Sequence, residues 1–355
     1  GRCGRAVGRG DALDLSRRMT DLRGMRPTPL EQEFTDETAH ELAPWMRAHV
    51  GVQGAYDGSY YQDDRPLREQ TTAVGHSVRA MYQFCGALDG HGENDAKLVS
   101  ALSTIWREMV DKRMYVIGGI GSARRNEGFT LDYDLPSESA YCETCAAVAL
   151  CMWAARMGHL GVEGAWRVFE RALFNNVLAG FNDDATLYNY ENPLEHDGRH
   201  QRKPWFDCAC CPPNVARFLG SITRYLVRPV QGRVQVEVPV SLEGIIVHPF
   251  GQTGALRLTS DYPFGAEIRV ELQGDVPLAV VTDRWTANPQ EERVIHTAEL
   301  ETSLRQGWVR AHGRVRDTAG KVAFQRGPVV YALEGIDVDP VSYTHLAGDS
   351  QMTLP

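Results

Sequence analysis

The sequence lacks any run of about 18 apolar residues, so no transmembrane helix is expected. It also lacks an excess of basic residues: 37 lysines and arginines stand against 46 aspartates and glutamates, for a formal net charge of −9. Nucleic acids and anionic membrane surfaces bind to basic faces, so neither is expected as a partner. A neutral or cationic small molecule remains open.

A nucleotide-binding loop is also missing. The apolar run at 114–122 contains Gly118, Gly119 and Gly121, but no Lys-Ser/Thr pair follows and the spacing of a dinucleotide fingerprint is absent. A loop that passes close to a ligand or to another stretch of backbone would need the same glycines.

The eight cysteines do not form the evenly spread framework that a disulfide-rich protein shows. They stand at positions 3, 85, 142, 145, 151, 208, 210 and 211. In a chain of 355 residues, this bunching favours metal binding or catalysis in a reducing compartment, and the cytoplasm is the expected location. Neither end of the sequence reads as a finished element, so we expect a fragment of a longer protein.

The periodicity of apolar residues divides the chain into two predicted domains. From about Leu13 to Arg228 the spacing is helical, and from about Gly232 it changes to short alternating segments. We therefore predict a mainly α domain at 13–228 and a β-sandwich-like domain at 229–355. The stretch at 276–306 fits neither pattern.

Helices are predicted where apolar residues recur at three and four, and strands where they alternate. The predicted helix at 140–157 is apolar nearly all round, so it should be buried, and Ser137 or Ser139 is its expected N-cap. The predicted helices are 14–22, 36–45, 71–88, 96–110, 140–157, 164–178 and one capped by Asn214; the predicted strands are 233–238, 244–249, 254–259, 266–271 and a pair within 321–333.

Three thiols stand within four positions at Cys208, Cys210 and Cys211, and two prolines follow at once. Four explanations are open: a vicinal Cys210–Cys211 disulfide, a structural zinc knot, inert packing, or a zinc site assembled from two distant segments. The disulfide would be strained, and a zinc knot usually draws on Cys-x-x-Cys pairs rather than Cys-x-Cys-Cys.

The fourth explanation takes Glu143 and Cys145 from a predicted helix N-terminus and Cys210 and Cys211 from the thiol loop. One carboxylate oxygen and three sulfurs form a plausible tetrahedral set for Zn²⁺. A zinc-bound sulfur is a thiolate at neutral pH, so one that faced a pocket would be a nucleophile.

Two further residues carry less signal by themselves. Glu127, beside a glycine and an aromatic residue, reads as a solvated loop carboxylate. His76 lies off the apolar stripe of its predicted helix, as a surface or capping histidine would.

Several motifs in one order resemble the β-L-arabinofuranosidase glycoside hydrolases of family 127 and its relatives. The resemblance covers about Leu13 to Tyr225, and a tail at 320–328 is similar to that family too. The motifs are Arg68-Glu69-Gln70 with Val74-Gly75-His76, Tyr115 to Ser122, Glu127-Gly128-Phe129, Tyr133-Asp134-Leu135-Pro136, Glu143-Thr144-Cys145-Ala146 and Cys210 to Arg217.

The resemblance implies a fold, a reaction and a set of roles. The fold would be an (α/α)6 barrel, here partial because the family's N-terminal portion is missing, followed by β-sandwich domains. The reaction would be retaining hydrolysis of a terminal β-linked L-arabinofuranoside in a small-molecule or oligosaccharide substrate, and a homodimer is kept open as the assembly. The implied roles are Cys210 as nucleophile, Glu127 as a general acid/base with a raised pKa, His76 as a sugar contact, and Glu143, Cys145, Cys210 and Cys211 as zinc ligands.

Two other functions compete with this one. A sugar epimerase or lyase on the same barrel would use His or Tyr and no thiol site. A carbohydrate-binding protein with a structural zinc would lose its fold, and no activity, when the metal is removed. Cys208 and Cys142 have no role in any of these schemes, beyond Cys208 as a thiol close to the ligands.

Overall fold

The structure is a computed structural model that describes residues 8, 10–35, 56–92, 94–230, 232–248, 250–286, 297–301 and 303–333. Helices occupy the first part of the chain and small sheets the second. The helices are α1 Gly10–Leu22, α2 Pro29–Thr35, α3 Ser77–His91, α4 Ala96–Lys112, α5 Thr144–His159, α6 Ala165–Ala172, α7 Cys211–Leu219 and α8 Thr223–Leu226, with a π-helical turn Leu173–Val177 after α6.

Helix α5 is the centre of the helical part. Every residue from Thr144 to Gly158 is buried, as its nearly uninterrupted apolar sequence predicts. At its middle, the Trp153 ring lies 4.8 Å from that of Phe84 on α3 and 4.9 Å from that of Trp106 on α4. Helices α3 and α4 therefore pack against α5 through aromatic contacts.

The described strands form three sheets. They are β1 Val227–Val230, β2 Arg233–Val236, β3 Leu242–Val247, β4 Thr253–Ser260, β5 Glu267–Gln273, β6 Leu278–Val280, β7 Thr297–Glu301, β8 Gln306–Val309, β9 Ala323–Arg326 and β10 Val329–Tyr331. Strands β1, β2 and β6 make one sheet with a parallel β2–β6 pair; β3, β4, β5 and β7 make an antiparallel sheet; β8, β9 and β10 make a third. The first two sheets share one buried apolar cluster.

Most predicted elements are confirmed with shifted ends, and the predicted helix at 36–45 lies outside the described residues. The start of α5 was predicted wrongly: it begins at Thr144 with Glu143 as N-cap residue, and neither Ser137 nor Ser139 caps it. The residues before it are not helical, and the N–H of Cys142 bonds instead to the carbonyl of Gly121 at 2.9 Å. Asn214 was also assigned wrongly, because α7 begins at Cys211 and places Asn214 inside the helix. Proline is tolerated in a first helical turn, where its missing N–H has no partner to lose.

Two buried carboxylates join the helical part to the strands. Glu170 on α6 accepts a hydrogen bond of 2.7 Å from the hydroxyl of Tyr262 and contacts the indole N–H of Trp285. Arg284 lies between Glu170, at 3.2 Å, and Glu237, which follows β2. Both carboxylates are almost fully buried, so their charges depend on this shared guanidinium.

None of the helices in the described ranges has the length and apolar character needed to span a membrane.

Replacing Arg284 by alanine should strongly destabilise the protein. The change leaves Glu170 without its arginine and removes one of the charge partners of Glu237, which costs about 3–5 kcal/mol when a buried ion pair is broken. Urea unfolding, followed by tryptophan fluorescence, measures the loss. The matched control is Arg257→Ala, which removes an exposed arginine paired with Glu243 on the neighbouring strand. Equal shifts of the two unfolding midpoints would contradict the role given to Arg284.

Candidate active site

The thiol cluster forms where the N-terminus of α5 meets that of α7. Glu143 immediately precedes α5 and Cys145 lies in its first turn, whereas Cys210 immediately precedes α7 and Cys211 is its first residue. One carboxylate oxygen and the three sulfurs all lie within 4.8 Å of one another. The fold thus brings the four residues predicted as zinc ligands together at the N-termini of two helices.

The distances within this cluster show contact without a disulfide. Cys210 Sγ lies 3.3 Å from Glu143 Oε1 and 3.7 Å from Cys211 Sγ, and Cys211 Sγ lies 3.8 Å from the same carboxylate oxygen. Every described cysteine is a free thiol, so the vicinal Cys210–Cys211 disulfide considered from the sequence is not formed.

The electrostatics of the cluster are those of several acids in one small volume. Burial, followed by the neighbouring Cys210, holds the pKa of Glu143 well above its usual value. Hydrogen bonds with Cys145 and Cys211 lower the pKa of Cys210, whereas hydrogen bonds with Cys145 and Cys210 raise the pKa of Cys211. Without a cation, the cluster therefore concentrates negative charge on the least buried of the three thiols, Cys210.

A second cluster adjoins the first. His76 Nε2 lies 2.9 Å from Glu127 Oε2, and His76, Glu127 and Glu143 place one ligand-type atom each within 4.8 Å of one another. Glu143 is common to both clusters. Glu143 therefore lies close both to Glu127 and to the three thiols.

His76 has two hydrogen-bonding roles. Its Nδ1 accepts the N–H of Val78 at 3.2 Å and so caps α3, as one of the sequence interpretations proposed. Because Nδ1 is an acceptor, the proton of the neutral ring lies on Nε2, which donates to Glu127. The ring is largely buried, so the surface interpretation is wrong.

The backbone around Glu127 is held in an unusual conformation. Glu127 has a φ of +47°, and its carbonyl accepts both the N–H and the hydroxyl of Ser77 at 3.0 Å. Gly128 lies so close to Gly75 that an added Cβ would meet the carbonyl oxygen of Gly75 at 1.7 Å. Only glycine fits there, and the close approach places Glu127 next to His76.

Two tyrosines complete the site, and sequence reasoning missed both. Tyr141 donates a hydrogen bond of 3.0 Å to Glu127 Oε1, so Tyr141 and His76 engage different oxygens of the same carboxyl group. The side chain of Tyr190 interacts with that of Cys210, and its ring centroid lies 6.1 Å from that of Tyr141. Tyr141 was within reach of sequence reasoning, since it stands two positions before Glu143.

The other cysteines that the structure describes lie outside the clusters. Cys142 is fully buried with a φ of +40°, and its sulfur packs against Gly119, where an added Cβ would come within 2.7 Å. This close approach accounts for one glycine of the 114–122 loop. Cys208 is exposed, and its side chain interacts with Cys210 and Tyr190.

Comparison with known proteins gives one consistent result. The family model described as the β-L-arabinofuranosidase GH127 catalytic domain matches residues 5–224, and that of the glycoside hydrolase family 127 C-terminal domain matches residues 307–354. A protein of Bifidobacterium longum named non-reducing end β-L-arabinofuranosidase is 34% identical over 92% of this chain and 54% of its own length.

Solved structures agree. The crystal structure of a GH127 β-L-arabinofuranosidase from Geobacillus stearothermophilus T6 aligns with a TM-score of 0.80 and 32% identity, over 94% of this chain and 57% of that one. A second GH127 β-arabinofuranosidase structure aligns with a TM-score of 0.75 and 28% identity, over 95% of this chain and 55% of that one. The chain spans about half the length of these relatives, and it belongs to glycoside hydrolase family 127, the β-L-arabinofuranosidase family.

Proposed function

We propose that this chain is the catalytic portion of a zinc-dependent retaining β-L-arabinofuranosidase. Cys210 is the nucleophile, Glu127 is the general acid/base, His76 contacts the sugar, and Glu143, Cys145, Cys210 and Cys211 hold the metal. The observation that supports the proposal is the pair of clusters sharing Glu143: a thiol, Cys210, and a separate carboxyl group, Glu127, each offer an atom within 4.8 Å of an atom of Glu143. Two-step glycoside hydrolysis needs such a pair.

The substrate assignment follows from the relatives. The Bifidobacterium longum protein is named for release of β-L-arabinofuranose from non-reducing ends. A terminal β-linked L-arabinofuranose in a small glycoside or an oligosaccharide is therefore the proposed substrate. We propose that the helices form part of an (α/α)6 barrel at 13–228 and that the β-sandwich part occupies 229–355.

The residues of the thiol cluster fit a zinc ion. Three sulfurs and one carboxylate oxygen are donors that zinc accepts, and they lie close enough to share one ion. Glu143 Oε2 is buried and has no hydrogen-bond partner among the described residues, and a cation would supply one. Bound zinc would keep the sulfurs as thiolates and make Cys210 a better leaving group.

In the first step, the sulfur of Cys210 attacks the anomeric carbon while Glu127 transfers its proton to the departing glycosidic oxygen. The bond from the anomeric carbon to that oxygen breaks as the bond to sulfur forms. His76 and Tyr141 fix the plane of the Glu127 carboxyl group during this transfer. A protonated resting state of Glu127 stays a prediction.

In the second step, Glu127 accepts a proton from a water molecule that attacks the anomeric carbon. The carbon–sulfur bond breaks, Cys210 returns to its thiolate form, and Glu127 regains the proton that it gave up. Two displacements at one carbon restore the original anomeric configuration.

Replacing Cys210 by serine should abolish hydrolysis of 4-nitrophenyl β-L-arabinofuranoside, with a loss of about a thousandfold or more, because a serine hydroxyl is a much weaker nucleophile than a thiolate. Metal analysis of the same sample should still show zinc, since three ligands remain. The matched control is Cys85→Ser, a buried thiol on α3 outside both clusters, which should keep its activity. Full turnover by the Cys210 variant would disprove the nucleophile assignment.

Replacing Glu127 by glutamine should slow hydrolysis by about 10²–10⁴-fold when the leaving group is an alcohol, because the departing oxygen then needs a proton. The loss should be smaller for 4-nitrophenol, which leaves without protonation, and added azide should yield arabinofuranosyl azide. Initial rates and product analysis test this. Glu163→Gln, at an exposed loop carboxylate, is the control. A loss independent of the leaving group would speak against the acid role.

Zinc should be present at about one ion per chain, and chelation should remove both activity and part of the thermal stability. Emission spectrometry counts the metal, and the Tm is measured before and after chelation. Adding zinc back should restore both properties. If chelation lowered the Tm of a protein that never showed glycosidase activity, a carbohydrate-binding protein with a structural zinc would replace the enzyme.

A further inference from the structure

A second set of metal-ligand atoms adjoins the thiol cluster. His76, Glu127 and Glu143 each offer one ligand atom, and the three atoms lie within 4.8 Å of one another. None of the three is a sulfur: the set is one imidazole nitrogen and two carboxylate oxygens, which suits Zn²⁺ and other divalent ions of the first transition series. This set differs in its chemistry from the thiol cluster, with which it shares only Glu143.

The carboxyl group of Glu143 has one oxygen for each set. Oε1 lies 3.3 Å from Cys210 Sγ and 3.8 Å from Cys211 Sγ. Oε2 has no hydrogen-bond partner among the described residues, although Glu143 is only 2% exposed. A carboxylate can bridge two cations, and the ions of two-metal sites lie about 3.5–4 Å apart. A second cation beside the thiol cluster would therefore give Oε2 the partner that a buried polar atom needs.

The other two ligand atoms lie close to the spacing that a metal requires. His76 Nε2 is 2.9 Å from Glu127 Oε2. Two ligand atoms bound at about 2.1 Å to a tetrahedral zinc ion are about 3.4 Å apart, so these atoms would have to separate by only about 0.5 Å. The Glu127 carboxyl group would keep its other contact, because Tyr141 donates to Oε1.

Binding at this set has a cost that the thiol cluster does not carry. His76 Nδ1 accepts the N–H of Val78 and caps α3, so the proton of the neutral ring lies on Nε2. A metal on Nε2 would move that proton to Nδ1 and break the cap. Three sulfurs are also the better donors for zinc. The thiol cluster should therefore fill first, and the second set only at a higher zinc concentration.

We propose that His76, Glu127 and Glu143 form a second, weaker site for a divalent transition-metal cation such as Zn²⁺, and that a cation bound there inhibits hydrolysis. The binding follows from the ligand geometry alone, whereas the inhibition rests on the proposed function. A cation on Glu127 Oε2 replaces the proton that the departing oxygen needs, and it withdraws His76 from the sugar. Lowering the zinc concentration empties the weaker site and restores the rate.

Equilibrium dialysis of the chain against rising concentrations of zinc chloride, followed by emission spectrometry, measures the binding. The wild type should hold one ion per chain at low zinc and two at high zinc. Hydrolysis of 4-nitrophenyl β-L-arabinofuranoside should fall as the second ion binds. Cobalt(II) gives a further readout, because the first equivalent should produce the near-ultraviolet charge-transfer band of thiolate ligands and the second should add nothing to it.

His76→Asn and Glu127→Gln should each keep the first ion and lose the second. Asparagine can still accept the N–H of Val78 and preserve the cap of α3, which the Tm of the variant checks. Changing an outer partner of a metal ligand already costs about 10–100-fold in affinity, so loss of a ligand should weaken the second site at least as much. The matched control, His196→Asn, changes an exposed histidine outside both clusters and should bind two ions.

The outcomes keep the two proposals apart. A wild type that never exceeded one ion, or variants that bound the second ion as tightly as the wild type, would overturn the second site. Full hydrolysis with two ions bound would overturn the inhibition. If no glycosidase activity appeared at any zinc concentration, the proposed function would fail and the inhibition with it, whereas the ion counts would still decide whether the second site exists.

Discussion

The structure around the site depends on the burial of one carboxyl group, that of Glu143, among three thiols. Four acidic groups that lie within 4.8 Å of one another cannot all ionise in a buried volume unless a cation compensates them. An apolar core would have no use for this arrangement, which would be costly without a partner for Glu143 Oε2. The donors of the cluster fit a metal ion, and its position at two helix N-termini adds partial positive charge to the same place.

The cluster also lies close to Glu127, the proposed general acid/base. Because Glu143 belongs to both groups of close ligand-type atoms, Glu127 is tied to the thiols through one shared residue. The position of Glu127 is fixed by two contacts. His76 caps α3 with one ring nitrogen and binds Glu127 with the other, and Gly128 lies against Gly75. The attacking and protonating groups would thus be held by separate elements that cannot move independently.

The sequence predicted most of the described helices and strands, because periodicity is a local signal, but it missed the helix Pro29–Thr35. It offered the four residues of the thiol cluster as one of several explanations of the cysteine spacing. It could not predict that α5 starts at Thr144, since Cys142, two positions before it, is held by a backbone hydrogen bond to Gly121, more than 20 positions away. Asn214 was misplaced for a related reason: its side chain accepts a bond of 2.9 Å from Tyr82, a residue on α3. The position of Tyr190 beside Cys210 depends on how loops that are distant in the sequence pack together.

Backbone hydrogen bonds connect the loops that surround the site. The segment that leads into α5 is bonded on one side to the glycine loop, through Cys142 and Gly121, and on the other to the 189–192 segment, where Thr144 donates to the carbonyl of Tyr190 at 2.9 Å and Asn192 to that of Tyr141 at 3.1 Å. Three segments that would otherwise be surface loops thereby form one layer. The turn that carries Glu127 and the thiol cluster both border this layer, because Tyr141 donates to Glu127 and because Glu143 and Cys145 flank Thr144. A site built mostly from loops can in this way hold its reacting groups as firmly as one built on strands.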